Sequence, residues 1–168
     1  IFAACRGGWP SALRKKSRNA QLLVARSYFE GLCREDISNL DGIRRDETAT
    51  RLLLRSYARN ISTLAANRLI VRDINANFDM GETTFYEYVN ALKKLFVIQD
   101  VEAWCPAIRS KSAIQSTDKR ELVDPSLVVA SLGVGPEYFN LDLKTFGFVF
   151  ETLCIRDLKI YSSAMGGR

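Results

Sequence analysis

Apolar residues return along this chain mainly at intervals of three and four, the spacing that lines one face of a helix. From Ser17 to Asp36, Leu22, Phe29, Leu32 and Cys33 form such a stripe, and Asn39-Leu40-Asp41-Gly42 breaks it. A second helix is predicted over 47–60, with Leu53, Leu54, Tyr57 and Ala58 inward and Arg51, Arg55 and Arg59 laddered down the opposite side. Ser62 is placed to cap a short helix over Thr63–Asn67. Leu69, Ile70 and Ile74 give an inward face to the next helix, Arg68–Asn77. Gly81 then marks a tight turn. Beyond it Phe85, Tyr88, Val89, Leu92 and Leu95 keep the helical period as far as Leu95.

The pattern changes at Phe96-Val97-Ile98-Gln99-Asp100-Val101, whose branched and aromatic residues predict a strand. A polar loop from Arg109 to Lys119 leads to a second predicted strand, Arg120–Val123. Helix, tight turn, helix, strand, loop, strand is the order of a winged helix. The expected fold is therefore mainly α with a small β-hairpin, a winged-helix-like module near 67–123 flanked by helices. Asp124-Pro125 opens a short helix near Ser126–Leu132, and a long helix follows near Asn140–Ser163. That last helix carries Phe146, Phe148, Val149, Phe150, Leu153, Cys154, Ile155, Leu158, Ile160 and Tyr161, which predicts burial on every side. Glu151 within it needs a partner, for which Arg156 and Lys144 are the candidates. Three segments are expected: 1–45, an opening turn and helix; 46–123, the winged-helix-like domain; and 124–168, the closing helices.

Composition narrows the chemistry. The 168 residues suit one or two compact domains. No apolar run approaches the ~20 residues that cross a bilayer, and no signal-peptide pattern opens the chain, so a cytoplasmic protein without membrane contact is expected. Cys5, Cys33, Cys105 and Cys154 are widely spaced and histidine is absent. No metal site is expected from such a set, and the thiols are read as reduced. The missing histidine excludes Ser-His-Asp and Cys-His catalysis within these residues. Net charge is +5, but residues 1–30 hold six bases against one acid, leaving eighteen of each in the remainder. Charge alone is thus a weak argument for nucleic-acid binding beyond the N-terminal segment. Residue 1 is Ile, and this together with the uncovered apolar last helix suggests a piece of a longer protein.

The candidate recognition helix presents Thr83, Tyr86, Asn90, Lys93 and Lys94. In one reading Asn90 reaches a base in the major groove of double-stranded DNA and the lysines reach phosphates. Glu82 and Glu87 oppose this, and a surface for protein contact or domain packing is the alternative. In the expected wing, Arg109, Lys111, Lys119 and Arg120 are placed to grip a phosphate backbone, with Asp118 and Glu121 opposing. The ladder Arg51, Arg55, Arg59 is read as a solvated face, a contact for an acidic partner or phosphate, or a set of pairs with Asp46 and Glu47. Arg6, Gly7 and Gly8 form a turn that Trp9-Pro10 extends.

Several stretches occur together in a familiar order: Arg6-Gly-Gly-Trp-Pro10; Leu53-Leu-Arg-Ser-Tyr-Ala-Arg-Asn-Ile-Ser-Thr-Leu-Ala65; Thr84 to Leu92 with Phe96-Val-Ile-Gln-Asp100; Leu122-Val-Asp-Pro-Ser126; and Phe146-Gly-Phe-Val-Phe-Glu151. Over nearly its whole length the chain resembles the C-terminal region of a large prokaryotic family of AAA+-like P-loop ATPases. The resemblance implies that residues 1–45 end an ATPase lid region and that Arg6, Gly7 and Gly8 lie near bound nucleotide. It also implies that 46–123 is a winged-helix domain of unknown function. Residues 124–168 then lead into a nuclease-like fold, where Glu151 would ligate metal in the intact protein. No GxxxxGK[ST] loop is present. ATP and Mg are therefore expected only in the intact protein, whose own ATPase and nuclease-like domains become partners of this chain. The resulting expectation is a non-catalytic piece that binds or positions DNA through a winged helix, or that uses the winged helix for protein packing instead.

Overall fold

The computed structural model describes residues 1–102 and 117–167, and among them the fold is built from helices. Two short helices, α1 (Phe2–Arg6) and α2 (Pro10–Leu13), open the chain. Helix α3 (Arg18–Gly31) begins where the Ser17 hydroxyl accepts the Ala20 amide. It passes through a π-helical turn at Leu32–Asp36 into α4 (Ile37–Asn39). Helix α5 (Glu47–Arg59) is capped in the same way by Asp46, whose carboxylate accepts the Ala49 amide. Then come α6 (Asn67–Asn75) and α7 (Glu82–Lys94). Pro125 at the first position of α8 (Pro125–Leu132) and left-handed Gly133 after it give that helix a sharp start and stop. Helices α9 (Pro136–Leu141) and α10 (Leu143–Ala164) close the described chain.

Helix α8 is the hub. Pro125 through Val129 and Ser131 are buried, which no amphipathic surface helix would allow. It packs on α1, α3, α5 and α10, so it is enclosed from several directions. One hydrophobic cluster runs from Ala4 to Val149 and draws on all three segments expected from sequence.

Among the described residues the β-hairpin does not form: there are only two isolated antiparallel bridges, Ile98 with Leu122 and Val101 with Lys119. Mainly α is right, but the small hairpin and with it the winged-helix fold are overturned. The reason lies in where the backbone groups go. Gln99 donates its amide to the Glu121 carbonyl, but the Glu121 amide turns to Asp100 Oδ1 and the Gln99 carbonyl accepts Lys159 Nζ, so the ladder breaks between the two bridges, while Arg120 pairs with the 62–63 turn on the other side. Arg120, Glu121 and Leu122 are all buried, so the segment has no alternating solvent face. The short helix expected at Thr63–Asn67 is also absent: Ser62 sits at φ 56° and the chain runs on without helical bonds to Ala66. The last helix forms, yet it is not enclosed. Only Val149 and Thr152 are fully buried, and one long side faces solvent.

Candidate functional site

Four of the residues singled out on the sequence, Tyr86, Asn90, Lys93 and Arg120, meet around one polar pocket with Asn67 and Asp100. The pocket holds about 440 Å³ between the start of α6, the outer face of α7 and residues 117–120. Its floor is an ion network. The Asp100 carboxylate, 3% exposed, accepts the Tyr57 hydroxyl at 2.9 Å and faces Arg120 Nη1 at 3.3 Å and Lys93 Nζ at 3.2 Å. The Arg120 guanidinium spends its remaining donors on Ala65 O at 2.8 Å, Asn67 Oδ1 at 2.7 Å and Tyr57 Oη at 3.0 Å. Burial, aided by the Asp100 carboxylate, pushes the Tyr57 phenol well above its ordinary value, so it stays a donor. Every group here is satisfied by another, and the network ties α5, α6, α7 and the 117–122 segment together.

This placement corrects the wing roles. Arg120 points inward and is buried, so it offers no phosphate grip. Lys119 pairs with Glu151, which settles that glutamate's partner as neither Arg156 nor Lys144. Arg109 and Lys111 lie outside the described residues. Thr83, Tyr86, Asn90, Lys93 and Lys94 stand exposed on α7, and the described residues form no β-hairpin beside them. In the arginine ladder, Arg51 reaches Glu47 and also Glu30 on α3, Arg59 pairs with Asp73 on α6, and Arg55 remains exposed.

The Arg6-Gly7-Gly8-Trp9-Pro10 turn is a clamp on the start of α8. The Gly8 amide donates to Asp124 Oδ2 at 2.9 Å, and Trp9 Nε1 donates to Ser126 Oγ at 2.8 Å. The same Asp124 carboxylate accepts Arg156 Nη1 from α10 at 2.7 Å and caps α8 through the Ser126 amide. Gly7 has φ +75°, and a Cβ there would overlap Asp124 Oδ1 and Ser126 Oγ. Arg6 donates from Nε to the Gly7 carbonyl. The motif is accounted for by this docking, with no nucleotide needed to explain its glycines.

Beside the clamp lies an open groove of about 780 Å³ lined by Trp9, Pro10, Tyr28, Phe96 and Ile160, with Gln99, Arg156 and Lys159 among its polar residues. Trp9 and Tyr28 pack ring on ring with centroids 4.8 Å apart. Burial, with a contribution from Asp36, raises the Tyr28 hydroxyl above its usual value and keeps it protonated. Phe96 is 76% exposed and holds φ 57°, a left-handed conformation that a non-glycine residue adopts at a cost. The sequence reading placed Phe96 in a strand and Trp9 in a turn, and it missed Tyr28 and Arg156 as site residues. No local signal brings positions 9, 28, 96 and 160 together; only the tertiary fold does.

Fold and surface together describe an α-helical domain with an aromatic groove and a paired polar pocket. The chain belongs to the family described as a domain of unknown function (DUF8612), whose model matches residues 2–138. No curated protein and no solved structure matches it. The family match replaces the expected kinship with AAA+-like ATPases, and the ATP-binding, winged-helix and DNA-binding assignments that came with that kinship are withdrawn. Among the described residues, no helix is long and apolar enough to cross a membrane.

Proposed function

We propose that this domain is a docking module whose aromatic groove receives an extended, proline-bearing segment of a partner protein. The observation that carries the reading is Phe96: an aromatic ring held out in solvent on strained backbone, lining the same groove as the Trp9–Tyr28 pair. Flat aromatic faces pack well against pyrrolidine rings, and a polyproline segment arrives already extended, so little order is lost on binding. Such a segment has no internal hydrogen bonds, and its carbonyls need donors. The protonated Tyr28 hydroxyl and the exposed Gln99 amide supply them at the groove wall. Trp9 is pre-oriented by its bond to Ser126, which lowers the cost of binding further. In this reading the domain acts by binding rather than by catalysis, and the free thiols of Cys5, Cys33 and Cys154 fit a cytoplasmic setting.

The test is fluorescence anisotropy with a labelled ten-residue polyproline peptide and a Gly-Ser peptide of equal length. A dissociation constant of about 100 μM or tighter for polyproline alone is expected, and Phe96→Ala should weaken it roughly tenfold. Equal affinity for both peptides, no binding near 1 mM, or indifference to Phe96→Ala sinks the reading.

A further inference from the structure

We infer that the outward face of α10 pairs antiparallel with the same face of a second copy of this chain, with Cys154 beside the two-fold axis. The side of α10 turned away from the core carries Leu143, Gly147, Phe150, Cys154, Leu158 and Tyr161, with Met165 at its C-cap. Their steps of four, three, four, four, three and four keep them on one straight stripe. Leu143, Phe150, Leu158, Tyr161 and Met165 are 65%, 50%, 66%, 61% and 88% exposed. At roughly 200 Å² for a large residue, they leave on the order of 700 Å² of uncovered surface per chain, close to the ~800 Å² per partner of a standard interface.

Two features select a second copy as the occupant. The stripe is symmetric in spacing about Cys154, with positions at four, seven and eleven residues on each side. Reversing one helix against the other therefore sets Phe150 on Leu158, Gly147 on Tyr161 and Leu143 on Met165 in both halves at once. That satisfies the requirement of a two-fold interface that one patch complement itself. Sizes match as well. Gly147 has open space over its Cα, and the large Tyr161 ring fills it. A parallel pair would set Gly147 against Gly147 and Tyr161 against Tyr161, leaving a void at one level and crowding at another. Antiparallel helices also oppose their dipoles favourably. Glu151 is turned aside to Lys119, so no unpaired charge enters the stripe from that flank.

The experiment uses the full chain with Cys105→Ser, so that half-buried Cys154 is the thiol under test; Cys5 and Cys33 are buried. Sedimentation over a range of concentrations should show a species of twice the monomer mass, and a short bis-maleimide should link two chains. Leu158→Glu removes two buried contacts per dimer and should weaken association roughly a hundredfold or more. Gly147→Trp should do the same by filling the Tyr161 slot, in a position where helix formation does not suffer. Both variants should keep the parent circular-dichroism spectrum. Cys154→Ser should abolish the cross-link while leaving the dimer. A chain that stays monomeric throughout overturns the inference, and so does a dimer that survives both Leu158→Glu and Gly147→Trp. Loss of polyproline binding would leave it standing, because the groove and the stripe lie on different sides of α10.

Discussion

Replacing Arg120 by alanine should be among the most damaging single changes in this domain. The side chain is 8% exposed and its Asp100 partner 3% exposed, so the variant leaves a carboxylate in the interior short of one cation. It also strips a hydrogen bond from the Ala65 carbonyl, the Asn67 amide oxygen and the Tyr57 hydroxyl. Breaking a buried pair by removing one partner typically costs about 3–5 kcal/mol. Asp100 keeps the Tyr57 hydroxyl and Lys93, which is 43% exposed and draws in water, so the lower end applies: about 3 kcal/mol. Against a total of about 5–15 kcal/mol that is a large share. At ~2–4 °C per kcal/mol for a chain of this size, the melting point should fall by about 6–12 °C. Urea unfolding followed by circular dichroism measures it, with an unchanged slope showing that the native state is intact. Adding Asp100→Asn removes the stranded charge and should recover about 1–3 kcal/mol. A cost for Arg120→Ala below about 1 kcal/mol, or strict additivity with Asp100→Asn, would refute the buried-pin account and return Arg120 to the surface.

Further outcomes test the other features. Gly7→Ala should cost about 2–4 kcal/mol, because it combines a left-handed backbone with overlap onto Asp124 and Ser126, whereas Gly8→Ala, whose nearest neighbour is the flexible Arg156 Nη1 at 3.1 Å, should cost less; chemical denaturation compares the two. At position 96 glycine should be more stable than alanine by about 1 kcal/mol, the reverse of their order in a helix, and an alanine variant equal to or better than glycine contradicts the φ of 57°. Burial raises the Glu121 carboxyl above its ordinary value near 4.5, and its Oε2 has no partner among the described residues. The folded state therefore holds that proton more tightly than the unfolded chain, so ionised Glu121 costs stability at pH 7 and the cost vanishes as pH falls through the folded value. Glu121→Gln should raise the melting point at pH 7 and lose that advantage near pH 4.5; an equal gain at both pH values contradicts the assignment.

How far the sequence went depends on what each residue was answering to. Helices α3, α5, α6 and α7 were legible because their apolar positions keep one period and because Ser17, Asp46 and Gly81 mark three of their starts. The hairpin was not. Val97 and Ile98 are branched and buried and touch the 122–123 segment through single backbone contacts, but the pairing does not run on into strands, and branched residues look the same in either case. Arg120 and Glu121 read as solvent-facing on polarity alone, while the fold supplies Asp100 and Tyr57 to the arginine and Ser62 to one oxygen of the glutamate inside. Arg51 shows the same limit: Glu47, one helical turn away, could be named from spacing, but Glu30 could not. The groove was out of reach because its walls come from positions 9, 28, 96 and 160, which no local pattern connects.

The Gly8–Asp124 and Trp9–Ser126 bonds join residues more than a hundred positions apart, and Arg156 completes the same cluster from still further along. On a ribosome adding about 5–20 residues per second, Trp9 is made roughly 6–23 s before Ser126 and roughly 7–30 s before Arg156. Until residues 124–126 are made, the Gly8 amide lacks its Asp124 acceptor and the Trp9 indole its Ser126 acceptor. Nascent chains should therefore leave residues 6–10 incompletely anchored, and open to proteases and chaperones, until α8 has been made, and the cluster should close only once Arg156 of α10 joins it.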